Sequence, residues 1–198
     1  DFIRAFFGCI FAGVIAVPIV PPRSRKQAHW QNVAGIILDA DVSAVLSNTS
    51  HCDRVTELLL FQSSLSHLQL HDIEHVDTSA DDWNLPDVTA QNLVFLQYTS
   101  GSTGNPKGVM VSHENLIHNE TFIQQCYEHK RNLTLVGWLP FYHDMGLIGN
   151  ILQPFYCGGQ AYLMSPMTFL RRPLVWLEAI SKYRATTSGG PNFAYQLC

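Results

Sequence analysis

Short apolar runs that alternate with helical patterns, each run delivering the chain to a glycine- or proline-containing loop, constrain this sequence most. Phe2 to Ala12 reads as a helix closed by Gly13, and VIAVPIV after it as a strand. Lys26 to Asp39 reads as a helix with Trp30, Val33 and Ile37 on one face, followed by the strand SAVLS. Asp53 to Phe61 predicts a further helix and LQLHDIEHV a strand region. Such alternation predicts an α/β fold, layered sheets with flanking helices and a largely parallel strand arrangement. Open sheets of that kind place ligands in the loops at the strand ends.

The second half continues the pattern. Asp77 to Asn92 is acidic, turn-rich and without period, which predicts a connecting loop rather than a domain boundary. Leu93 to Tyr98 reads as a strand, Val109 to Val111 as extended, and Ser112 as the N-cap of a helix from His113 to about Glu128. Thr134 to Leu139 is a predicted strand, Asp144 to about Tyr156 a helix with Gly158 past its end, QAYLM a strand, Leu174 to Tyr183 a helix and ATTS a strand running into GGP.

Composition narrows the partners. Apolar residues make up 46% of the 198, enough for a sizeable core, and the formal charge of −4 with scattered basic residues disfavours nucleic acid and anionic lipid. Five cysteines, none paired as CxxC, fit free thiols in a reducing, cytoplasmic compartment. The uncharged run Ala5 to Val20 is interrupted by Gly8, Gly13 and Pro18 and is shorter than the roughly 20 residues a bilayer requires, so no integral membrane segment is expected. The first residues already read as the middle of an amphipathic element, and the last as the start of a helix; a fragment of a longer polypeptide is expected.

Three stretches carry chemistry. Between two apolar strands lies QYTSGSTGNPKGVM, with no side chain larger than Asn from Thr99 until Lys107. Successive N–H groups could converge there as an anion nest, Ser100, Ser102 and Thr103 adding hydroxyls and Lys107 a compact charge. Those are the parts a triphosphate requires, although neither GxxxxGK[ST] nor GxGxxG is satisfied. A plain flexible loop is the competing reading.

In GWLPFYHDMGLIGN, His143 falls at the start of a helix, whose positive end favours a neutral imidazole able to hydrogen-bond a carboxylate; a packed core histidine is the alternative. Asp144 is better explained as the N-cap of that helix. In SGGP, Pro191 falls near the first helical position, and Gly189 and Gly190 either leave room for a substrate chain or form an ordinary helix start.

Two metal readings fail on spacing. His67, His71 and His75 on one extended strand would be separated by about 13 Å per four residues. HENLIH, from His113 to His118, is one residue longer than HExxH.

YTSGSTGNPKGV resembles the phosphate-loop signature of the acyl-adenylate-forming (AMP-binding) superfamily. Within it, DFIRAFFGCIFAGVIAVPIVPP, LVGWLPFYHDMGLIGNILQPFYCGG and TTSGGPNFAY are similar to fatty-acyl-AMP ligases, which occur alone or as loading domains of polyketide and nonribosomal peptide synthases. The resemblance implies that residues 1–198 are part of the large N-terminal AMP-binding (adenylation) domain, without the C-terminal domain. It implies a ligase that converts a fatty acid and ATP to acyl-AMP and passes the acyl group to the phosphopantetheine of an acyl carrier protein.

Thr99, Ser100, Gly101, Ser102, Thr103, Gly104 and Lys107 would then hold the β- and γ-phosphates. His143 would border the acyl carboxylate as the catalytic candidate, and Gly189, Gly190 and Phe193 would meet the acyl chain. Mg2+ would accompany ATP, with its main ligand in a later Tyr-Gly-x-Thr-Glu stretch that has no counterpart here; that glutamate, the ribose-binding Asp and a C-terminal lysine being absent, the fragment is expected to be inactive alone. The alternatives are a long-chain acyl-CoA synthetase of the same fold and a non-catalytic nucleotide- or acyl-binding module.

Overall fold

The computed structural model describes residues 1–20, 27–76, 83–99 and 107–198, which form two compact units, Asp1–His113 and Glu114–Cys198.

In the first unit, α1 (Phe2–Phe11) ends as its sequence requires. Gly13 adopts φ +67°, and the N–H groups of Gly13 and Val14 return to the carbonyls of Ile10 and Cys9. A Cβ at Gly13 would come within 2.8 Å of the Pro86 ring, so the turn and the approach of residues 83–88 both need glycine. The predicted strand VIAVPIV is reduced to a single parallel bridge: the Ala16 N–H donates to Val94 O and the Leu96 N–H to Ala16 O. Pro18 lacks the donor that would extend the ladder.

The helix α2 (Gln27–Asp39) buries Trp30, Val33 and Ile37 as its periodicity predicts, against Val55, Leu58 and Leu59 of α3 (Thr49–Phe61), which begins four residues before the predicted start. Strands β1 (Ala44–Ser47) and β2 (Gln69–Asp72) pair in parallel beside this core. Because β2 stops at Asp72, His75 lies in the following turn, where its Nδ1 is 2.9 Å from Asp72 Oδ2, and not on an extended strand running to Val76. Residues 77–82 of the predicted connecting loop lie outside the described residues; Trp83, just after them, donates from Nε1 to the Phe11 carbonyl at 2.8 Å. Strands β3 (Leu93–Thr99) and β4 (Lys107–Ser112) are antiparallel, so the parallel arrangement does not extend to this pair.

The second unit is built on a three-stranded parallel sheet in the order β6 (Gln160–Leu163), β5 (Thr134–Gly137), β7 (Thr187–Ser188). The helix α4 (His113–Cys126) leads into it, and α7 (Leu174–Tyr183) has its predicted bounds. Val136, Trp138, Phe169, Trp176 and Ala194 make the core, with Trp138 and Phe169 stacked at 4.0 Å between ring centroids. Phe169 belongs to a helix, α6 (Pro166–Arg171), absent from the sequence reading; Ser165 caps it by accepting the Thr168 N–H, and Pro166 opens it. Pro191 is the N-cap of α8 (Asn192–Leu197), next to its first helical residue as predicted.

The segment after β5 departs most from expectation. A π-helix, Met145–Leu152, is followed by one short α-helical stretch, α5 (Gln153–Cys157), where a single α-helix was predicted. The cause is Pro154, which has no N–H for the Asn150 carbonyl and whose ring needs the space that an α-turn would fill. Widening the turn accommodates both, and the Gln153 N–H reaches back five residues to the Ile148 carbonyl. Gly158 ends α5 in the left-handed conformation.

Candidate functional site

The β3–β4 pair carries the ends of the donor-rich loop. Thr99 and Lys107 form its last register pair and both are exposed, while Ser100, Gly101, Ser102, Thr103 and Gly104 lie outside the described residues. One residue further in, Tyr98 is opposite Gly108, where a Cβ would come within 2.8 Å of the phenol ring. The Tyr98 hydroxyl donates to Asp39 Oδ2 at 2.5 Å, and burial together with that carboxylate pushes its pKa up to about 12. The strand ends that present Thr99 and Lys107 are thereby tied to the C-terminal residue of α2.

In the second unit, the chain leaves β5 through buried Trp138 and Leu139, and the His143 N–H donates to Pro140 O at 3.1 Å. Asp144 caps the π-helix as predicted, accepting the Met145 N–H at 2.6 Å, and its Oδ1 is also 2.5 Å from His143 Nδ1. That carboxylate, which the reading of His143 from the helix end alone left out, pairs with Nδ1, and Nε2 has no hydrogen-bond partner among the described residues.

Both residues lie at a cavity of about 560 Å³, walled by Ile123, Leu135, Leu139, Met145 and Ile148 and also lined by Gly189. A Cβ at Gly189 meets only Met145 Cε, at 4.0 Å. Gly190 and Phe193 are not among its lining residues. The space at Gly190 is filled by Trp138, 3.1 Å from where a Cβ would sit, and Phe193 lies edge-on to the same indole.

The cavity also has a polar wall that the sequence reading missed. Thr187, opposite Leu135 on β5, meets His129 Nε2 at 3.1 Å. With the Gln153 amide turned to satisfy both neighbours, its oxygen accepts from His129 Nδ1 at 3.1 Å and its nitrogen donates to the Glu120 carboxyl and, at 3.2 Å, to the Glu120 main-chain oxygen. Glu120 and Gln153 are each 1% exposed. Burial raises the Glu120 pKa to about 8 and lowers that of His129, so the row reads as neutral acid, amide, neutral imidazole and hydroxyl. Ser188 is fixed as well, donating to Val136 O at 2.6 Å and accepting from Trp176 Nε1 at 2.8 Å. The available signal was Asn150 and Gln153, polar residues three apart in an otherwise apolar run; Glu120 in HENLIHNETF had none.

Among the described residues no three His, Cys, Asp or Glu side chains converge to hold a metal ion, and no helix is long and apolar enough to cross a membrane.

The architecture is that of the adenylate-forming enzymes. A fatty acyl-adenylate ligase from L. pneumophila, solved with acyl adenylate and pyrophosphate, shares it at a TM-score of 0.89 and 41% identity over 100% of this chain and 34% of that one. The chain belongs to the AMP-binding enzyme family, which matches residues 1–198. The medium-chain-fatty-acid–[acyl-carrier-protein] ligase JamA of Moorena producens (strain JHB) is 39% identical over 201 residues, 100% of this chain and 34% of the relative. The ligase of the same description, TtuA of Teredinibacter turnerae (strain ATCC 39867 / T7901), is 49% identical over 131 residues, 64% of this chain and 20% of the relative. The chain thus spans about a third of the length of JamA.

Proposed function

We propose that the protein containing this chain is a ligase that activates a fatty acid with ATP and passes the acyl group to the phosphopantetheine thiol of an acyl carrier protein. The observation that carries this reading is the apolar cavity with His143 at its wall: a carboxylic acid with a hydrocarbon tail is the ligand such a lining suits. In the first step a carboxylate oxygen forms a bond to the α-phosphorus, the bond to the bridging oxygen of the β-phosphate breaks, and pyrophosphate leaves. In the second, a thiolate attacks the acyl carbon and AMP leaves.

The obstacle in the first step is charge, since a carboxylate must approach a polyanion. Thr99, Ser100, Gly101, Ser102, Thr103, Gly104 and Lys107 supply donors and one cation for the β- and γ-phosphates, and the His143 Nε2 side faces the carboxylate. Magnesium would neutralise further phosphate charge. The residues of the chain position and shield, and residues 1–198 act as part of an adenylation domain.

The descriptions of JamA and TtuA as acyl-carrier-protein ligases favour a carrier-bound thiol over coenzyme A as acceptor. The full-length protein, given a fatty acid, ATP and magnesium, is expected to release pyrophosphate and to acylate a phosphopantetheinylated carrier in preference to free coenzyme A. Efficient acyl-CoA formation would instead assign it to the synthetases, and no acid-dependent pyrophosphate release would leave it a binding module.

A further inference from the structure

The cavity of the second unit is not uniformly apolar, and its polar groups differ in whether their hydrogen bonds are already spent. Among the polar side chains that line the cavity, Thr187 and Gln153 are each bonded to His129, Gln153 also donates to Glu120 behind the wall, and Ser188 is held between Val136 and Trp176. Asn150 is different. It is 5% exposed, lines the cavity, and its Nδ2 has no hydrogen-bond partner among the described residues.

Its position is fixed by the backbone. Asn150 lies in the π-helix against Gly137, the last residue of β5, at a place where any side chain on residue 137 would overlap the amide. His143 follows Gly137 by six residues and lies beyond the C-terminal end of β5, whereas His129 precedes β5 and meets Thr187 at the level of Leu135. Along the strand direction the cavity therefore runs from His143 and Gly189, past Asn150, towards His129. A chain with its carboxylate at His143 would pass the Asn150 amide partway along its length.

We propose that Asn150 is a specificity-determining residue that reads a hydroxyl group carried on the acyl chain, so that the substrate class is a hydroxylated fatty acid and not a plain saturated one. This rests on the proposed acid activation. A buried amide left without a partner is costly, and a hydrocarbon chain passing it leaves it so. A hydroxyl both donates and accepts, and pairs with the amide whichever of Oδ1 and Nδ2 faces the cavity. A site with a hydrogen bond waiting for a substrate hydroxyl discriminates against the analogue that lacks it far more strongly than an apolar pocket discriminates by a methylene.

The test is a series of fatty acids of one length, unsubstituted or hydroxylated at successive carbons, with pyrophosphate release measured on the full-length protein. At one or two adjacent positions the hydroxylated acid is expected to exceed the plain acid in kcat/KM by about tenfold or more. In Asn150→Ala the same pair should fall to within about threefold. Asn150→Asp keeps the size of the side chain but puts an acceptor in place of the unpartnered Nδ2 donor, and should lose most of the preference. If no hydroxylated acid exceeds the plain one in the wild type, or if the preference survives in Asn150→Ala, the inference is overturned while the proposed activity stands. If no acid of either kind releases pyrophosphate, the proposed activity itself fails, and the inference falls with it.

Discussion

Gly137 and Asn150 occupy each other's space: the amide of Asn150, on the π-helix, lies where the Cβ of residue 137 would be, so a side chain at the last position of β5 has to displace that amide. Gly137→Ala is expected to destabilise the protein by about 1–3 kcal/mol through overpacking. In an Asn150→Ala background the same change should cost markedly less, because the colliding group is gone. Urea unfolding of the two single variants and the double variant measures the coupling, and additive losses would show that the close approach relaxes freely.

Glu120 makes stability depend on pH. Burial raises its pKa from an ordinary 4.5 to about 8, so the folded protein keeps the proton over a range in which the unfolded chain has lost it. Its contribution is complete below about pH 4.5, declines as pH rises, and is gone once pH passes about 8. Glu120→Gln, neutral at every pH, should flatten this decline and raise Tm at pH 8 relative to the wild type. Thermal unfolding from pH 5 to pH 9 is the measurement, and parallel curves would contradict the burial argument.

In the proposed reaction Lys107, at the exposed start of β4, meets the pyrophosphate end of ATP. Lys107→Ala in the full-length protein should slow acyl-AMP formation by roughly tenfold to a hundredfold, the worth of one charged hydrogen bond. Reaction of a preformed acyl-AMP with the carrier thiol should remain, since the β- and γ-phosphates have already left. Equal losses in both half-reactions would contradict the assignment.

His143 and Gly189 line the same cavity, one with a side chain and one with bare backbone. His143→Ala should lower kcat/KM by a similar factor for acids of every chain length, since all share the carboxylate. Gly189→Ala adds a methyl against Met145 and should tilt the chain-length series, each methylene of apolar contact being worth about 0.8 kcal/mol. A tilted series for His143→Ala would move the histidine from the carboxylate to the chain.

Much of the fold was legible because helix and strand periods are local. The Trp30–Val33–Ile37 face, the bounds of α7, the Asp144 cap and the left-handed ends at Gly13 and Gly158 follow from neighbouring residues alone. The strand predicted over VIAVPIV reduced to a bridge at Ala16 because pairing needs a partner that local sequence does not specify. The helix after Asp144 became a π-helix because Pro154 acts four residues upstream of itself, and α6 went unread because MTFLR is too short to show a period.

The candidate site divides the same way. The sequence by itself determined which chemistry was available: a run of hydroxyls and glycines ending in Lys107, a histidine at a helix start, and glycines beside a short strand. Only the tertiary structure decided which of these share a space. It set Gly189 on the cavity wall and gave the room at Gly190 to Trp138, placed Asp144 on the His143 ring, and brought Glu120, Gln153, His129 and Thr187 into one row. The reason is physical: hydrogen bonds and packing act over a few ångströms, between residues that stand, like Thr187 and His129, as far as 58 positions apart.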